Sequence, residues 1–389
     1  MAFFACQKEL DFKKPEPQPN VFTTPATQQQ QGLMQCVALE LPNKRSLRND
    51  HNFFLANLRK TKVILLDFDG DTVRNSSWNY SGKDLVCKPS RLTPEQQLFI
   101  LKSITEDWAS WNVKVSMDER DYKNGPVDGR IRVVFTDSWE WYGQVGGVSY
   151  INSMFWGDGS PCFVFSGLLG NNTKYCAEAG SHEIGHTVGL NHYPDWLPNC
   201  TKQSEYWPGV GTGNLSFCAI MGVGYYRNVV TFVKYARSTW NCDAYVDEVD
   251  VITQALGERI DLIGNDRQHA FPIVLPGKMY SVLENSDDVD VFEIMDDWIN
   301  AVSVESGGNT DLKIEVYVDK DLKEVYQDDQ SLDVSKHALP DVNVLWNSLF
   351  KKKGPKHRLY VAVRRSNDDT KSSIPQTSST GGYTIQFYR

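Results

Sequence analysis

Residues 181–192 read SHEIGHTVGLNH. This stretch contains three of the seven histidines of the chain, His182, His186 and His192. Residues four apart on a helix share one face, about 5–6 Å apart, so His182 and His186 can bind the same metal ion. Glu183 projects beside that face, within reach of a water on the ion. The spacing therefore predicts a helix that carries two metal ligands and one carboxylate.

Gly189 follows three residues after His186, where the chain has to turn if His192 is to return to the metal. Glycine ends a helix in the left-handed conformation without a Cβ penalty. Three neutral imidazoles and one water form the open, four-coordinate arrangement of a catalytic Zn²⁺. Zinc lowers the pKa of such a water to about 7 and polarises a carbonyl, while Glu183 transfers the proton. The pattern predicts metal-assisted hydrolysis.

Composition and charge exclude some classes of partner. The 389 residues carry a formal net charge of -9, and the sequence pI is near 5.4. Nucleic acid and anionic membranes attract clustered positive charge, so neither is expected as a partner. No stretch approaches the roughly 20 apolar residues that span a bilayer, so no transmembrane segment is predicted.

Changes in composition divide the chain into three parts. Residues 1–60 include a stretch rich in Pro, Gln and Thr and are predicted to be a tether or linker, with an inhibitory propeptide as the alternative. Residues 61–267 combine strand patterns, VILLDF and IRVVFTD, with a helical pattern that begins at a Thr93 cap. Residues 268–389 contain DVDVFEIM, LKIEVYVD, LYVAVRR and YTIQFYR, which alternate apolar and polar residues. An α/β domain followed by an antiparallel β-sandwich is therefore predicted.

The motif at residues 181–192 resembles that of the metzincin zinc peptidases. Downstream, FCAIMGVGYY places Met221 among small residues, 29 positions after His192, as in the methionine turn beneath the metal of that family. ILLDFDG, EWYGQVGGVSY, FVFSGLLGNN and IMGVGYYRNVVTF look like segments of secreted bacterial-type members. SVLENSDDVDVFEI and GGYTIQFYR are similar to the prepeptidase-like β-sandwich that often follows them. The resemblance covers about residues 62–389.

The resemblance implies an α/β (α+β) metzincin-like catalytic domain, with a twisted sheet and an active-site helix, over residues 61–267. A prepeptidase-like β-sandwich would occupy residues 268–389. The implied activity is that of a secreted zinc endopeptidase acting on proteins or peptides, with Glu183 as the general base. The competing interpretation is a non-catalytic extracellular protein that keeps its zinc for binding or adhesion.

The sequence departs from the family pattern at two places. Several metzincins have an acidic residue after the third histidine, whereas this chain has Tyr193, so the implied salt bridge is lost or moves to Asp195. Some metzincins have a tyrosine two residues after the methionine as a further ligand or oxyanion helper. Val223 stands there, and Tyr225 and Tyr226 are the nearest candidates for that role.

The resemblance also suggests a substrate-binding strand. In metzincins the strand before the active-site helix lies at the sheet edge and pairs with extended substrate through the main chain. EWYGQVGGVSYINSMF is the segment that corresponds to it. Gly146 and Gly147 would let the substrate backbone approach, although a plain hairpin also accounts for them.

Eight cysteines at wide spacing, without a C-x-x-C pair, indicate disulfides and a secreted or cell-surface protein. Cys200 and Cys218 are the favoured pair, because they would close the loop between His192 and Met221. Cys162 and Cys176 are either a second pair or buried thiols.

Two further cysteines lie ahead of the predicted catalytic domain. Cys36 is expected to form a disulfide, with ligation of the zinc in a latent enzyme as the alternative. Cys6 follows a short apolar segment and is a candidate lipid anchor, which would make the protein a cell-surface lipoprotein.

Two aspartate groups are weak candidates for Ca²⁺: Asp67, Asp69 and Asp71, and also Asp287, Asp288 and Asp290. Calcium takes six to eight oxygen ligands, more than either group supplies, so ordinary turns are the default interpretation. A phosphatase with Asp67 as its nucleophile is disfavoured, because Asp71 stands where threonine or valine usually follows the glycine.

Overall fold

The computed structural model describes residues 35–40, 60–213, 216–285, 287–295, 301–306, 312–318, 321–327, 358–365 and 381–388. The predictions about Cys6 and about the other residues of the N-terminal tether lie outside this part of the chain. Among the described residues, no helix is both long and apolar enough to cross a bilayer.

The first part of the chain contains four helices and fourteen strands within the described residues. The helices are α1 (Pro94–Asp107), α2 (Glu119–Asn124), α3 (Thr173–Thr187) and α4 (Glu248–Leu256), and Ser153–Phe155 forms a 3₁₀ turn. The strands are β1 (Cys36–Leu39), β2 (Lys62–Asp67), β3 (Asp71–Val73), β4 (Leu85–Cys87), β5 (Val113–Ser116), β6 (Arg130–Thr136), β7 (Gly147–Tyr150), β8 (Cys162–Phe165), β9 (Asp195–Trp196), β10 (Lys202–Ser204), β11 (Phe217–Ala219), β12 (Val229–Thr231), β13 (Ala236–Arg237) and β14 (Tyr245–Val246).

The predicted cap of α1 is confirmed. The Thr93 side chain accepts from the Gln96 amide, and the Gln96 side chain accepts from the Thr93 amide, which completes a capping box. Pro94 opens the helix, at a position where its missing N–H costs nothing.

The central sheet has six strands in the order β1-β7-β8-β6-β2-β5. Strands β8, β6, β2 and β5 are parallel, and β7 runs antiparallel to β8. One hydrophobic cluster joins the sheet to α1 and α3, and a second, around Trp78, covers the opposite face. A Cβ at Gly180 of α3 would lie 2.8 Å from Ile104 Cδ1, so glycine permits the close packing of α3 on α1. Residue Glu183 is thereby fixed on a rigid, buried helix.

Asp67, at the end of β2, takes part in an ion-pair network. Its Oδ2 lies 2.5 Å from Arg132 Nη1, and Arg132 also pairs with Glu119 at 2.8 Å. Asp67, Asp69 and Asp71 do not form a metal-ligand cluster among the described residues. This segment is therefore a strand and its exit turn, held by an arginine.

The C-terminal part contains β15 (Phe271–Ile273), β16 (Gly277–Leu283), β17 (Val289–Ile294), β18 (Ala301–Ser306), β19 (Leu312–Val318), β20 (Asp321–Gln327), β21 (Leu359–Arg365) and β22 (Gly381–Tyr388). One sheet has the order β15-β17-β21-β19-β20 and the other β16-β22-β18. Except for the parallel β15–β17 pair, neighbours are antiparallel, and one hydrophobic core includes residues of both sheets. These strands agree with the predicted β-sandwich.

Candidate functional site

Helix α3 places three of the predicted site residues on the inside of the molecule. The helix begins after Asn172, whose side chain accepts a hydrogen bond from the Tyr175 amide at 3.1 Å. His182, Glu183 and His186 lie in its second half and are all buried. The predicted spacing therefore produces two histidines one turn apart with a carboxylate beside them.

The chain reverses at Gly189, which has φ +108°. The Leu190 amide donates to Gly185 O at 3.0 Å, which closes the end of the helix. A Cβ at Gly189 would lie 2.8 Å from Asn152 Oδ1, so any larger residue would meet both strain and a clash. The turn carries His192 back towards the helix.

The three histidines form one cluster. Ring centroids lie 4.7 Å apart for His182 and His186, 4.8 Å for His186 and His192, and 5.3 Å for His182 and His192. One ligand atom from each residue lies within 4.8 Å of the others. This separation suits three ligands of a single metal ion after small side-chain adjustments.

Hydrogen bonds at the opposite ring nitrogens orient the imidazoles. His182 Nδ1 lies 2.8 Å from Ile220 O, and His186 Nδ1 lies 2.8 Å from Leu190 O. Because a carbonyl only accepts, both Nδ1 atoms donate, and Nε2 keeps its lone pair. The Nε2 atoms of these two residues and of His192 are buried without a hydrogen-bond partner among the described residues. Three orphaned imidazole nitrogens that face one another fit a zinc ion.

Burial favours the neutral imidazoles that metal binding needs. Burial, together with His192 nearby, lowers the pKa of His182 to about 3. Burial and the two neighbouring histidines hold the pKa of His186 well below its usual value.

The third histidine has an acidic partner that the sequence did not reveal. His192 Nδ1 lies 3.3 Å from Glu205 Oε1, and Glu205 Oε2 accepts from Lys202 Nζ at 3.0 Å. The resemblance implied that a salt bridge at position 193 is lost or moves to Asp195, and it did not point to Glu205. The contact instead comes from thirteen residues downstream, on the loop that returns through β10.

Glu183 is fully buried against strand β7. Its Oε2 accepts from Ser149 Oγ at 2.5 Å. Burial raises the pKa of Glu183 to about 8, against the lowering effect of the nearby Ser149, Cys36 and Val37. A Cβ at Gly147 would lie 2.6 Å from Glu183 Oε1, so this glycine makes room for the carboxylate.

Met221 lies beneath the histidine-bearing helix. A Cβ at Gly185 would lie 2.6 Å from Met221 Sδ, so the sulfur packs directly on the helix between the two helical histidines. Met221 is fully buried, and its carbonyl accepts from the Tyr193 amide at 2.8 Å. The preceding carbonyl, Ile220 O, is the one that orients His182. The turn that contains Met221 therefore contacts helix α3 through the methionine side chain and His182 through the backbone.

The two tyrosines after the turn lie outside the histidine cluster. Tyr225 is buried, with its hydroxyl 3.9 Å from Cys36 Sγ, and Tyr226 is half exposed. The tyrosine beside the cluster is Tyr206, whose ring centroid lies 4.5 Å from that of His192. Its hydroxyl donates to Cys36 O, and burial raises its pKa well above the usual value. Tyr206 was missed because nothing in its sequence context separates it from the other tyrosines.

Strand β1 covers the edge that the resemblance assigns to substrate. It pairs with β7 in parallel, from Cys36 opposite Gly147 to Leu39 opposite Tyr150. Part of the predicted tether is thus a strand of the central sheet. Cys36 is a free, buried thiol, so the expected disulfide is not formed, and its sulfur does not belong to the three-histidine cluster.

A disulfide is present, but its pairing was predicted wrongly. Cys200 bonds to Cys242, with Cα atoms 5.5 Å apart, and Cys218 is a buried free thiol. Cys218 faces inwards on β11, where its Sγ contacts Trp207 O at 3.3 Å. Cys162 and Cys176 are also buried free thiols, which was one of the two predictions for them.

No protein-family model matches the chain, and no curated protein matches it. Among solved structures it is similar to the pre-peptidase C-terminal domain of collagenase from Bacillus anthracis, at 14% identity. That match covers 32% of this chain and 99% of the other, with a TM-score of 0.22.

Proposed function

We propose that this chain is a secreted zinc-dependent endopeptidase of the metzincin type. A catalytic domain (61–267) would be followed by a prepeptidase-like β-sandwich (268–389). The observation that supports this most strongly is the convergence of three orphaned imidazole nitrogens beside the buried carboxylate of Glu183. The Cys200–Cys242 disulfide is compatible with an oxidising, extracellular location.

His182, His186 and His192 would hold the zinc through Nε2. Zinc bound there would supply Lewis-acid polarisation of the scissile carbonyl and a water of lowered pKa. The chain's own contribution is orientation, since the carbonyls of Ile220 and Leu190 fix two of the rings. Glu205 does the same for the third ring.

Glu183 would act as the general base and then the general acid. It takes a proton from the attacking water and returns it to the leaving nitrogen of the substrate. The hydrogen bond from Ser149 fixes the direction of the carboxylate, and Gly147 keeps space for it. Gly189 and Met221 act as structural supports of the histidines. We assign no catalytic role to Tyr225 or Tyr226.

The main chain of β7 would pair with an extended protein or peptide substrate. In the observed arrangement β1 already occupies this edge, in parallel register. Substrate pairing at β7 therefore requires that β1 be displaced or removed, as an inhibitory N-terminal segment would be. Because β1 occupies this edge, the structure is also compatible with the competing function, a non-catalytic extracellular binding protein that contains zinc.

The test is hydrolysis of casein by the zinc-loaded chain, before and after cleavage at a specific protease site inserted between residues 41 and 59. We expect the cut wild type to hydrolyse casein and Glu183→Ala to be slower by about 10³-fold or more at equal zinc content, since the general base is lost. Glu95→Ala, an exposed position on α1, is the matched control and should retain activity.

Equal rates for the cut, zinc-loaded wild type and Glu183→Ala would rule out the peptidase proposal. Bound zinc without hydrolysis would then support the binding protein. Activity that appears only after the cut would identify the N-terminal segment as inhibitory.

A further inference from the structure

A cluster of aspartates lies in the C-terminal part, far in sequence from the histidine motif. One ligand atom each from Asp261, Asp288 and Asp290 lies within 4.8 Å of the others. Asp288 is only 3% exposed and Asp290 only 1%. Oδ1 of both residues is buried and has no hydrogen-bond partner among the described residues. Each of the two buried aspartates of the cluster thus has one oxygen without a hydrogen-bond partner.

The other oxygen of each buried carboxylate is held by the protein. Asp290 Oδ2 accepts from Ser281 Oγ at 2.7 Å and from the Tyr383 hydroxyl. Asp288 Oδ2 accepts from the Glu284 amide at 2.9 Å. Outer hydrogen bonds of this kind orient ligand atoms in metal sites. The arrangement leaves one oxygen free on each of the two buried aspartates.

The negative charge of the cluster has no basic partner. Within the described residues, no lysine, arginine or histidine forms an ion pair with Asp261, Glu284, Asp288 or Asp290. Glu284 adds a fourth carboxyl group, which lies against Asp288. Buried carboxylates are costly unless a cation or hydrogen bonds compensate them. A bound cation would supply the missing compensation.

We propose that Asp261, Asp288 and Asp290, with Glu284 beside them, hold a calcium ion. All four groups offer oxygen, which suits a hard cation rather than zinc. Calcium accepts six to eight oxygens at flexible geometry, and water or backbone carbonyls can complete the set. The sequence pointed to Asp287 in this role, but Asp287 is exposed and lies outside the cluster, whereas Asp261 replaces it.

The site joins the segment after α4 to the sandwich. Gly257 O accepts from the Asn112 amide at 2.9 Å, and the Arg259 amide donates to Ser110 O at 3.0 Å. Asp261 follows two residues later and meets the turn between β16 and β17, which carries Asp288. A calcium ion would therefore fasten the junction segment to the sandwich.

The test is a calcium titration of the calcium-free, zinc-loaded full chain, followed by calorimetry and by thermal unfolding. We expect one calcium ion per chain and a raised Tm, because calcium binds the folded chain only. Asp290→Asn should weaken calcium binding by at least about 10-fold. Asp287→Asn, in the same turn but outside the cluster, is the matched control and should bind as the wild type does.

Asp261→Asn provides a second variant, since Asp261 is exposed and lies outside the strands. It should weaken calcium binding while leaving the circular dichroism spectrum unchanged, even where Asp290→Asn fails to fold. A folded wild type that binds no calcium at 10 mM would overturn the proposal, as would equal affinity in wild type and Asp261→Asn. The readouts do not use casein hydrolysis, so they stand apart from the peptidase proposal.

Discussion

The histidine cluster and the aspartate cluster hold their side chains in the same way but differ in their surroundings. In both, the protein binds one polar atom of each buried ligand side chain and leaves the other free. His182 donates through Nδ1 to Ile220 O, and Asp290 accepts at Oδ2 from Ser281. Beside the histidines stands Glu183, a carboxylate outside the ligand set. In the aspartate cluster the additional carboxylate, Glu284, lies against the ligands themselves.

This difference separates a catalytic arrangement from a structural one. A hydrolytic site needs a base that is free to carry a proton and an edge where substrate can lie. In the proposed mechanism Glu183 is that base, and β7 would be that edge once β1 is displaced. The aspartate cluster gathers only oxygen ligands at a turn between two strands. The first cluster suits chemistry, and the second suits the fastening of one segment to another.

The largest effect is expected when a ligand of the histidine cluster is removed. His186→Ala should abolish zinc binding, since two ligands rarely retain a catalytic zinc and His186 is fully buried. Metal analysis should find close to one zinc per wild-type chain and nearly none in the variant. Calcium binding at the aspartate cluster should be unchanged, because the clusters share no residue.

His269→Ala is the matched control, because His269 is exposed and lies outside both clusters. It should keep the full zinc content. If His186→Ala keeps its zinc, the three-histidine site is wrong. If it loses calcium together with zinc, the two clusters are not independent.

The histidine cluster could be predicted because its ligands fall within eleven residues of one another. On a helix this spacing places His182 and His186 on one face, and the turn at Gly189 brings the chain back towards them. Only part of the aspartate cluster could be predicted from the sequence. Asp288 immediately precedes strand β17 and Asp290 lies on it, but Asp261 belongs to the junction segment, and no local sequence pattern predicts that it comes close to them.

The groups that support the histidines were missed for the same reason. Glu205 and Tyr206 reach His192 through a loop whose path depends on tertiary packing. Ser149 donates to Glu183 from a neighbouring strand, a contact set by sheet order rather than by spacing. The disulfide error is similar, since Cys242 lies beyond the loop that Cys200 was expected to close. Contacts between residues close in sequence could be predicted, whereas contacts between residues far apart in sequence depend on how the chain folds.

Glu248 is a third buried carboxylate, and it belongs to neither cluster. Its Oε2 accepts from the Val233 amide at 2.8 Å, and burial, with a smaller effect of Asp247, raises its pKa to about 8. A raised pKa means that the stabilising contribution is complete below the unfolded value and is lost as pH rises through about 8. Glu248→Gln should remove this loss.

Chemical unfolding between pH 5 and pH 9 measures the effect. The free energy of unfolding of the wild type should fall by roughly 4 kcal/mol more than that of Glu248→Gln, at about 1.4 kcal/mol per pKa unit. Calcium should not change this difference, because no metal ligand is involved. Parallel pH curves for the two proteins would contradict the assigned cause.

The smallest effect is expected at Gly147, which tests whether Glu183 and the metal ligands act separately. An added Cβ would lie 2.6 Å from Glu183 Oε1 and 2.8 Å from Phe163 O, so Gly147→Ala has to move the carboxylate. A displacement of this size costs about 10²-fold in rate, and we expect kcat/KM for casein to fall by that factor. Zinc content should stay near one per chain, because the histidines are oriented by Ile220 and Leu190, away from β7. Loss of zinc in Gly147→Ala would show instead that the strand and helix α3 move as one unit.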